Sequence, residues 1–532
     1  MWHKTVLSLL CLSCFVSCTS SSPPKSLSSQ EIRLNIHSDP VTLDPSKARD
    51  ITSVCILKMC FDGLMRNDES GKTAPAIAEK YDISPDYKIY TFYLREAVWN
   101  DGHDVSAYDF EYAWKQFLDP LSPSDFAYDL YIIKNAKAVK ENRMAKEQLG
   151  VKAINEKTLV VELEHPTPYF LDILATVSFL PLPRHIVEGN SLWASGDLSS
   201  YTSNGPFSLK SWKHHNAIAL EKNSLYWDVA KVRLEKVSLL IIPDENTDLH
   251  MYENNEVDWV GSPLSSIPSD AISYLSQSKE FSYHPYAGIY YYLFNVKQYP
   301  LNNVHVRKAL TLSINRAEIV DNITQTKQRP ACSLIPPMMW NRSKCYFQDA
   351  DGAQANLFLA KALEELGITI EQFPPITLCY NTTSGNHIIA QAIKQQWEKT
   401  LGIKVELQNK EWKVFLDELS HQQFQVARMG SVASINDPSS FLDTFRTDSA
   451  YLNYSQWTNV SFIQLLDEAE NTIDKEKRLQ LLADAEAILM DHMPLAPIYF
   501  TNGSYMKKTY VKGVQLSELA DIDLKFAYMD AR

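Results

Sequence analysis

Between Gln354 and Gln408 the chain alternates two helical patterns with two β-rich segments, and a glycine closes each helix. Apolar residues recur at helical spacing from Gln354 to Leu366 and stop at Gly367; ITLCYN (Ile376 to Asn381) follows. A second helical stretch, His387 to Leu401, stops at Gly402 and leads into IKVELQ. Glycine just past a helix supplies the left-handed residue that a C-cap needs. Helix-strand-helix-strand order predicts parallel α/β packing in this region. With 532 residues, 45% of them hydrophobic, the chain has room for two to four domains of roughly 150 residues each.

The amino terminus is not expected to join any of them. Lys4 precedes an apolar run from Val6 to Val16, the charged-then-apolar layout of an export signal. The run is shorter than the ~20 residues a membrane span needs, and no later stretch reaches that length. FVSC (Phe15 to Cys18) and the Ser/Pro-rich SCTSSSPPKSLSSQ follow. This pattern resembles a bacterial lipoprotein signal, in which cleavage before Cys18 leaves its thiol to carry lipid. Phe15 departs from the usual aliphatic residue, and a plain secretory signal with an incidental cysteine is the alternative. Residues 1–17 are therefore expected as signal and 18–29 as a flexible tether.

Charge restricts the partners. The net charge of −13 becomes −14 once Lys4 is lost with the signal. A polyanion is repelled by that balance unless a basic patch compensates, and the sequence has no long Lys/Arg run, so nucleic acid is not expected as a ligand. Beyond Cys18 there are five cysteines, Cys55, Cys60, Cys332, Cys345 and Cys379. That is too few for a disulfide-stapled fold. Cys332 and Cys345 flank a Pro-Pro turn and can pair in an oxidising space, which spacing alone does not decide. None of these five is spaced as C-x-x-C, so no structural zinc is expected.

AVWNDGHDVSAYDFEYAW, Ala97 to Trp114, places His103 among acidic residues and raises the question of a metal or acid-base centre. Each polar residue has a local structural role instead. Asp101 and Gly102 suit a turn, Ser106 and Asp109 suit a helix start, and the aromatics supply a buried face. A structural corner is the expected reading. SGKT at 70–73 lacks the first glycine of a phosphate loop, since Arg66 stands there, and G-x-S-x-G is absent. An opening strand from Glu31, a helix from Ser53 to Leu64, a strand from Lys88 to Leu94 and two helices split around Asp474 complete the coarse reading.

Several blocks in order carry a resemblance. They are APAIAEKYDISPDYKIYTFYLREAVWNDGHDVSAYDFEYAWKQFLDP (74–120), LEHPTPYFLDIL (163–174), SNGPFSLKSW (203–212), YYYLFNVKQYPLNNVHVRKALTLSINRAEIV (290–320) and FQVARMGSVASINDPSSFL (424–442). Together they resemble the bacterial extracellular solute-binding proteins of family 5, the oligopeptide receptors of ABC permeases. The resemblance implies an α/β, two-lobed class II clamshell of mixed parallel sheets with flanking helices. It implies a discontinuous first lobe (30–60, 196–285 and 492–532), an extra α/β subdomain (61–195) and a second lobe (286–491). The lobes would close by hinge motion over a peptide held through its main chain as an added strand. Water-filled pockets would accept varied side chains.

Function follows as an expectation from the same resemblance. The chain would be a non-enzymatic, monomeric substrate-binding component without cofactor or metal, lipid-anchored at Cys18 in the periplasm or on the cell surface. It would deliver oligopeptides to the transmembrane subunits of a permease. Murein-derived or modified peptides, dipeptides, and metal or haem complexes are alternative cargoes; an exported peptide hydrolase and an adhesive surface lipoprotein are the remote ones. Matched residue by residue, Phe126 and Trp412 become wall aromatics, Arg428 a site arginine, and His387 a holder of the carboxyl end. Tyr380, Asn381, Asn436 and Asp437 complete the expected ligand-binding set. Read without the family, Phe126 and Trp412 fit a core, Arg428 a structural ion pair, and His387 a solvated helix start. One departure matters. Where peptide-binding members carry the aspartate that meets the α-amine, this chain has Ser434, and a second family arginine falls on Leu419. Either Asp437, Glu256 or another acid takes over, or the ligand lacks a free amine there.

Overall fold

The computed structural model describes residues 30–531 apart from 49, 123–126, 191, 196–197, 341, 343 and 447–452. An eleven-stranded mixed sheet runs through the molecule. From one edge its order is Val405–Lys410, Ile376–Asn381, Val426–Val432, Phe281–Phe294, Leu495–Lys507, Trp259–Gly261, Glu31–Ile36, Lys236–Ile241, Ala217–Lys222 and Phe207–Lys213. Arg329–Pro330 adds to Leu495–Lys507. A separate antiparallel sheet joins Ala78–Ile83, Ile89–Leu94, Thr158–Glu162 and Val151–Asn155.

The glycine-stopped run folds as its pattern predicts. Helices Gly352–Leu366 and Ser384–Leu401 end at Gly367 and Gly402 in the left-handed region, at φ of 67° and 66°. Ile376–Asn381 and Val405–Lys410 pair in parallel. The helix expected from Ser53 to Leu64 spans Ile51–Cys60 instead. Its start lies earlier because the Asp50 carboxylate accepts the Ser53 N–H, and its end lies earlier because Phe61 is extended.

Phe281–Phe294 shows why its long aromatic-rich run is a strand. Ala287, Ile289, Tyr291 and Leu293 feed one apolar core, while Tyr290, Tyr292 and Phe294 feed the core on the other face. Alternate side chains of a strand leave opposite faces, so a strand covered on both sides reads as an unbroken apolar run. A third, larger core unites the strand Glu31–Ile36 with the elements between Ala78 and Leu182.

Among the described residues the two longest strands are neighbours, Phe281–Phe294 with 14 residues and Leu495–Lys507 with 13. Phe281 to Pro285 pair with Met506 to Asn502; the ladder then breaks and resumes with Ile289 opposite Phe500. Extra residues on one strand locally increase bend and twist. Glycine lines this break for lack of room: a Cβ on Gly503 would lie 2.5 Å from the Tyr286 ring and 2.6 Å from Ser262 Oγ.

Candidate functional site

The strand Val426–Val432 supplies a partly open edge. On one side it pairs with Phe281–Phe294 from Val426 opposite Phe294 to Val432 opposite Gly288. On the other it meets Ile376–Asn381 only at Val426 and Ala427. Among the described residues no strand covers that edge beyond Ala427. Ala433 N–H donates to Ala287 C=O at 2.8 Å, and successive residues of an antiparallel strand face alternate neighbours. Gly430 and Val432 therefore turn their N–H and C=O groups away from Phe281–Phe294, toward the open side.

A cleft runs beside this edge. One cavity of 820 Å³ lies between the segments around Tyr128–Ala138 and Glu164–Ile173 on one wall and Ser431–Arg446 on the other. A smaller one of 240 Å³ continues between Ser434 and the helix Ile51–Cys60. A third of 350 Å³ extends past Asn436 to the buried Arg66. Contacts between described residues cross from wall to wall: His165 Nε2 stands 3.8 Å from Glu470, and the Arg478 guanidinium lies 4.3 Å from the centre of the Tyr169 ring.

The Arg428 end of the strand is electropositive. Its guanidinium sits 4.6 Å from the centre of the Tyr290 ring, and Nη1 donates to Asn381 Oδ1 at 3.4 Å. Nε is buried without a hydrogen-bond partner in the described structure. Among the described residues no carboxylate lies within ion-pair distance of it, so its charge is available to an anionic group. Asn381 is held by Asn386 at 3.0 Å, which also accepts from the Tyr290 hydroxyl at 3.1 Å. Tyr380 is buried, and its hydroxyl meets His387 Nδ1 at 2.6 Å. Tyr380 and Asn381 end a parallel strand, and His387 lies in the first turn of the helix that follows. Five expected residues, Tyr380, Asn381, His387, Arg428 and Trp412, thus gather where parallel strands end, the usual location of sites in open α/β sheets.

Trp412 opens the helix after Val405–Lys410, 48% exposed and stacked on Phe415. It lines none of the three cavities. Phe126 lies outside the described residues. Ser434 is exposed and lines the 820 and 240 Å³ cavities together with Val432, with its Oγ 3.2 Å from Ser440 Oγ. Asn436 is exposed and lines the 350 Å³ cavity.

Asp437 requires a correction. It is buried and its two carboxylate oxygens accept from Arg478 at 2.7 and 2.9 Å. That partner keeps its carboxyl below the usual range despite burial. A carboxylate so engaged is not free to meet a ligand amine. Glu256 stands in the exposed turn after the helix Glu245–Glu253 and lines none of the cavities. Among the acids that line the cleft, Asp129, which spacing did not single out, lines both cavities that contain Ser434.

The corner at Asp101 is more connected than its local sequence allows. Asp101 Oδ2 meets His185 Nε2 at 2.6 Å, and Oδ1 lies 3.2 Å from His103 Nδ1 and accepts the His103 N–H at 3.1 Å. His185 comes from 84 residues away, which no reading of the 97–114 stretch could supply. The three side chains place one donor atom each within 4.8 Å of one another. Beside it, Ser106 N–H donates to Asp109 at 2.8 Å, the helix start the sequence predicts.

Comparison with known proteins gives a consistent result. The family model described as bacterial extracellular solute-binding proteins, family 5 Middle, matches residues 72–453. The oligopeptide-binding protein OppA of Bacillus subtilis is 40% identical over 502 residues, covering 93% of this chain and 92% of that protein. Among solved structures, the periplasmic oligopeptide-binding protein OppAIV of Borrelia burgdorferi superposes with a TM-score of 0.82 at 30% identity, covering 94% of this chain and 100% of that one. The murein tripeptide binding protein MppA of Escherichia coli gives 0.81 at 30%, covering 95% and 99%.

Proposed function

The chain belongs to the bacterial extracellular solute-binding proteins of family 5, and from that premise we propose that it captures oligopeptides outside the cytoplasm and delivers them to an ABC permease. The observation that carries this reading is the uncovered edge beyond Ala427, flanked by a cleft. An extended peptide brings one donor and one acceptor per residue, and Gly430 and Val432 offer matching groups in the manner of strand addition. A grip on the main chain does not read side chains, and the 820 Å³ cavity leaves space for them with bridging water. Arg428 supplies the charge that a buried carboxyl end requires.

Three parts of the reading stand as proposals beside it. The protein holds its ligand and does no chemistry on it; relatives are named for binding. Residues 1–17 direct export, and Cys18 carries a lipid that anchors a monomer through the 18–29 tether to a bacterial membrane. Lobe boundaries near 285 and 492 with a hinge between them form the third part, and the break in the ladder between Pro285 and Ile289 supports a hinge near 285. No helix among the described residues is long and apolar enough to cross a membrane. A second cargo, murein-derived peptide, draws support from the likeness to a murein tripeptide binding protein.

Native mass spectrometry of the mature chain purified without denaturation tests the proposal. Intact peptides should co-purify and exchange with added peptide. Cleaved products accumulating from a pure peptide would replace the receptor with a hydrolase.

A further inference from the structure

Position 434 carries a neutral serine, so on the peptide reading this segment offers no acid there for a ligand's amine end. Burying an ammonium group with no counter-charge costs several kcal/mol, so either the ligand lacks that charge or the opposite wall supplies the acid. Other described acids lining the cavities at this end are already engaged, among them Asp521, which lines the 240 Å³ cavity and is paired with Lys58 at 2.8 Å. Asp437 is consumed by Arg478. Asp443 and Glu470 both lie within ion-pair distance of Arg446, at 3.2 and 2.8 Å. Glu164 accepts the Asn135 N–H on the far margin of the cavity.

Asp129 differs from all of these. It sits in the short helical turn Ala127–Leu130 and lines both cavities that meet at Val432 and Ser434. Its carboxylate accepts one hydrogen bond, from Ser178 Oγ at 2.6 Å, and no Lys, Arg or His among the described residues lies within ion-pair distance. Burial without a cation raises its carboxyl to about 6, with Ser178 acting in the other direction. Such a group is destabilised while empty and gains most from an arriving cation. Ser178 fixes one oxygen and leaves the other able to accept.

Resting on the peptide reading above, we infer that amine recognition has moved across the cleft: Asp129, positioned by Ser178, takes the ligand's α-ammonium opposite Ser434. The ligand then lies with its amine toward Asp129 and Ser434 and its carboxylate toward Arg428, along the open edge between them. Charge at both ends then fixes the direction of a ligand whose middle is held without regard to sequence. The chain would thus retain preference for free-amine peptides while carrying serine at the position where relatives place the acid.

Calorimetric titration of the mature chain with matched free-amine and N-acetylated peptides tests this. The wild type should prefer the free amine by at least about tenfold. Asp129→Asn, near-identical in volume, should abolish that preference while acetyl-peptides still bind, with a melting temperature no lower than that of the wild type. Ser178→Ala should reduce the preference part way. Adding Ser434→Asp to Asp129→Asn should restore it. Unaltered discrimination in Asp129→Asn would overturn the inference alone, as would equal affinity of the wild type for both forms. Failure of the wild type to bind any peptide would overturn the peptide reading and this inference with it.

Discussion

Asp437 and Arg478, 41 residues apart, form a bidentate buried ion pair with oxygen–nitrogen distances of 2.7 and 2.9 Å. The pair fastens the segment after the open strand to the helix Lys475–His492, and the same guanidinium covers the Tyr169 ring from the opposite wall. One arginine thereby supports the floor of the cleft and touches its far side.

Removing one member of a buried pair strands the other's charge, at a cost of roughly 3–5 kcal/mol. Asp437→Asn should therefore lower unfolding free energy by about that amount in urea titrations. Weakened peptide binding with undiminished stability would return Asp437 to the ligand-contacting set.

Among the described residues no acid pairs with Arg428, so its charge should be read by the ligand's carboxyl end. Arg428→Met should weaken binding of free-acid peptides by about tenfold or more, equivalent to ~1.4 kcal/mol, and leave C-terminally amidated peptides nearly unaffected. Equal losses for both would place Arg428 in a supporting role.

Cys332 and Cys345 are disulfide-bonded across a separation of 13 residues. Closing a loop of this size restricts the unfolded chain by roughly 3 kcal/mol in the chain-entropy model. The Cys332→Ser, Cys345→Ser double variant should melt several degrees lower in calorimetry, and a reducing agent should have the same effect on the wild type and none on the variant.

Glu486 is buried beneath that loop, accepting the N–H groups of Leu334 and Ile335 and the Tyr346 hydroxyl. Desolvation raises its carboxyl to about 7 from an ordinary 4.5. The folded chain then binds more protons than the unfolded one between those values, so this group's contribution is complete below about pH 4.5 and declines as pH rises through 7. Glu486→Gln should flatten the fall in melting temperature between pH 5 and 8. An unchanged profile would remove Glu486 as its source.

Local signals were the legible ones. Asp474 caps its helix through Lys477 N–H, Ser106 meets Asp109, and Gly367 and Gly402 end theirs, each within four residues. The α/β class followed from such stretches. What the sequence did not disclose depends on partners brought from afar. Asp437 looks free beside Pro438 until Arg478 arrives; His185 reaches Asp101 from another segment; and Asp129 in AYDL carries no motif, gaining its meaning only from the wall it faces. Position 434 was readable as a missing acid, whereas the side of the cleft that compensates was not.

The paired strands Phe281–Phe294 and Leu495–Lys507 form a strap of two ribbons bonded side by side, its register broken between Pro285 and Ile289 and shifted again between Tyr290 and Tyr291. Such a strap yields to bending across its width but resists twist and slide. On the receptor reading proposed above, the swing of the jaws would be limited to nearly one arc, and a permease would meet two stations of the protein, loaded and empty.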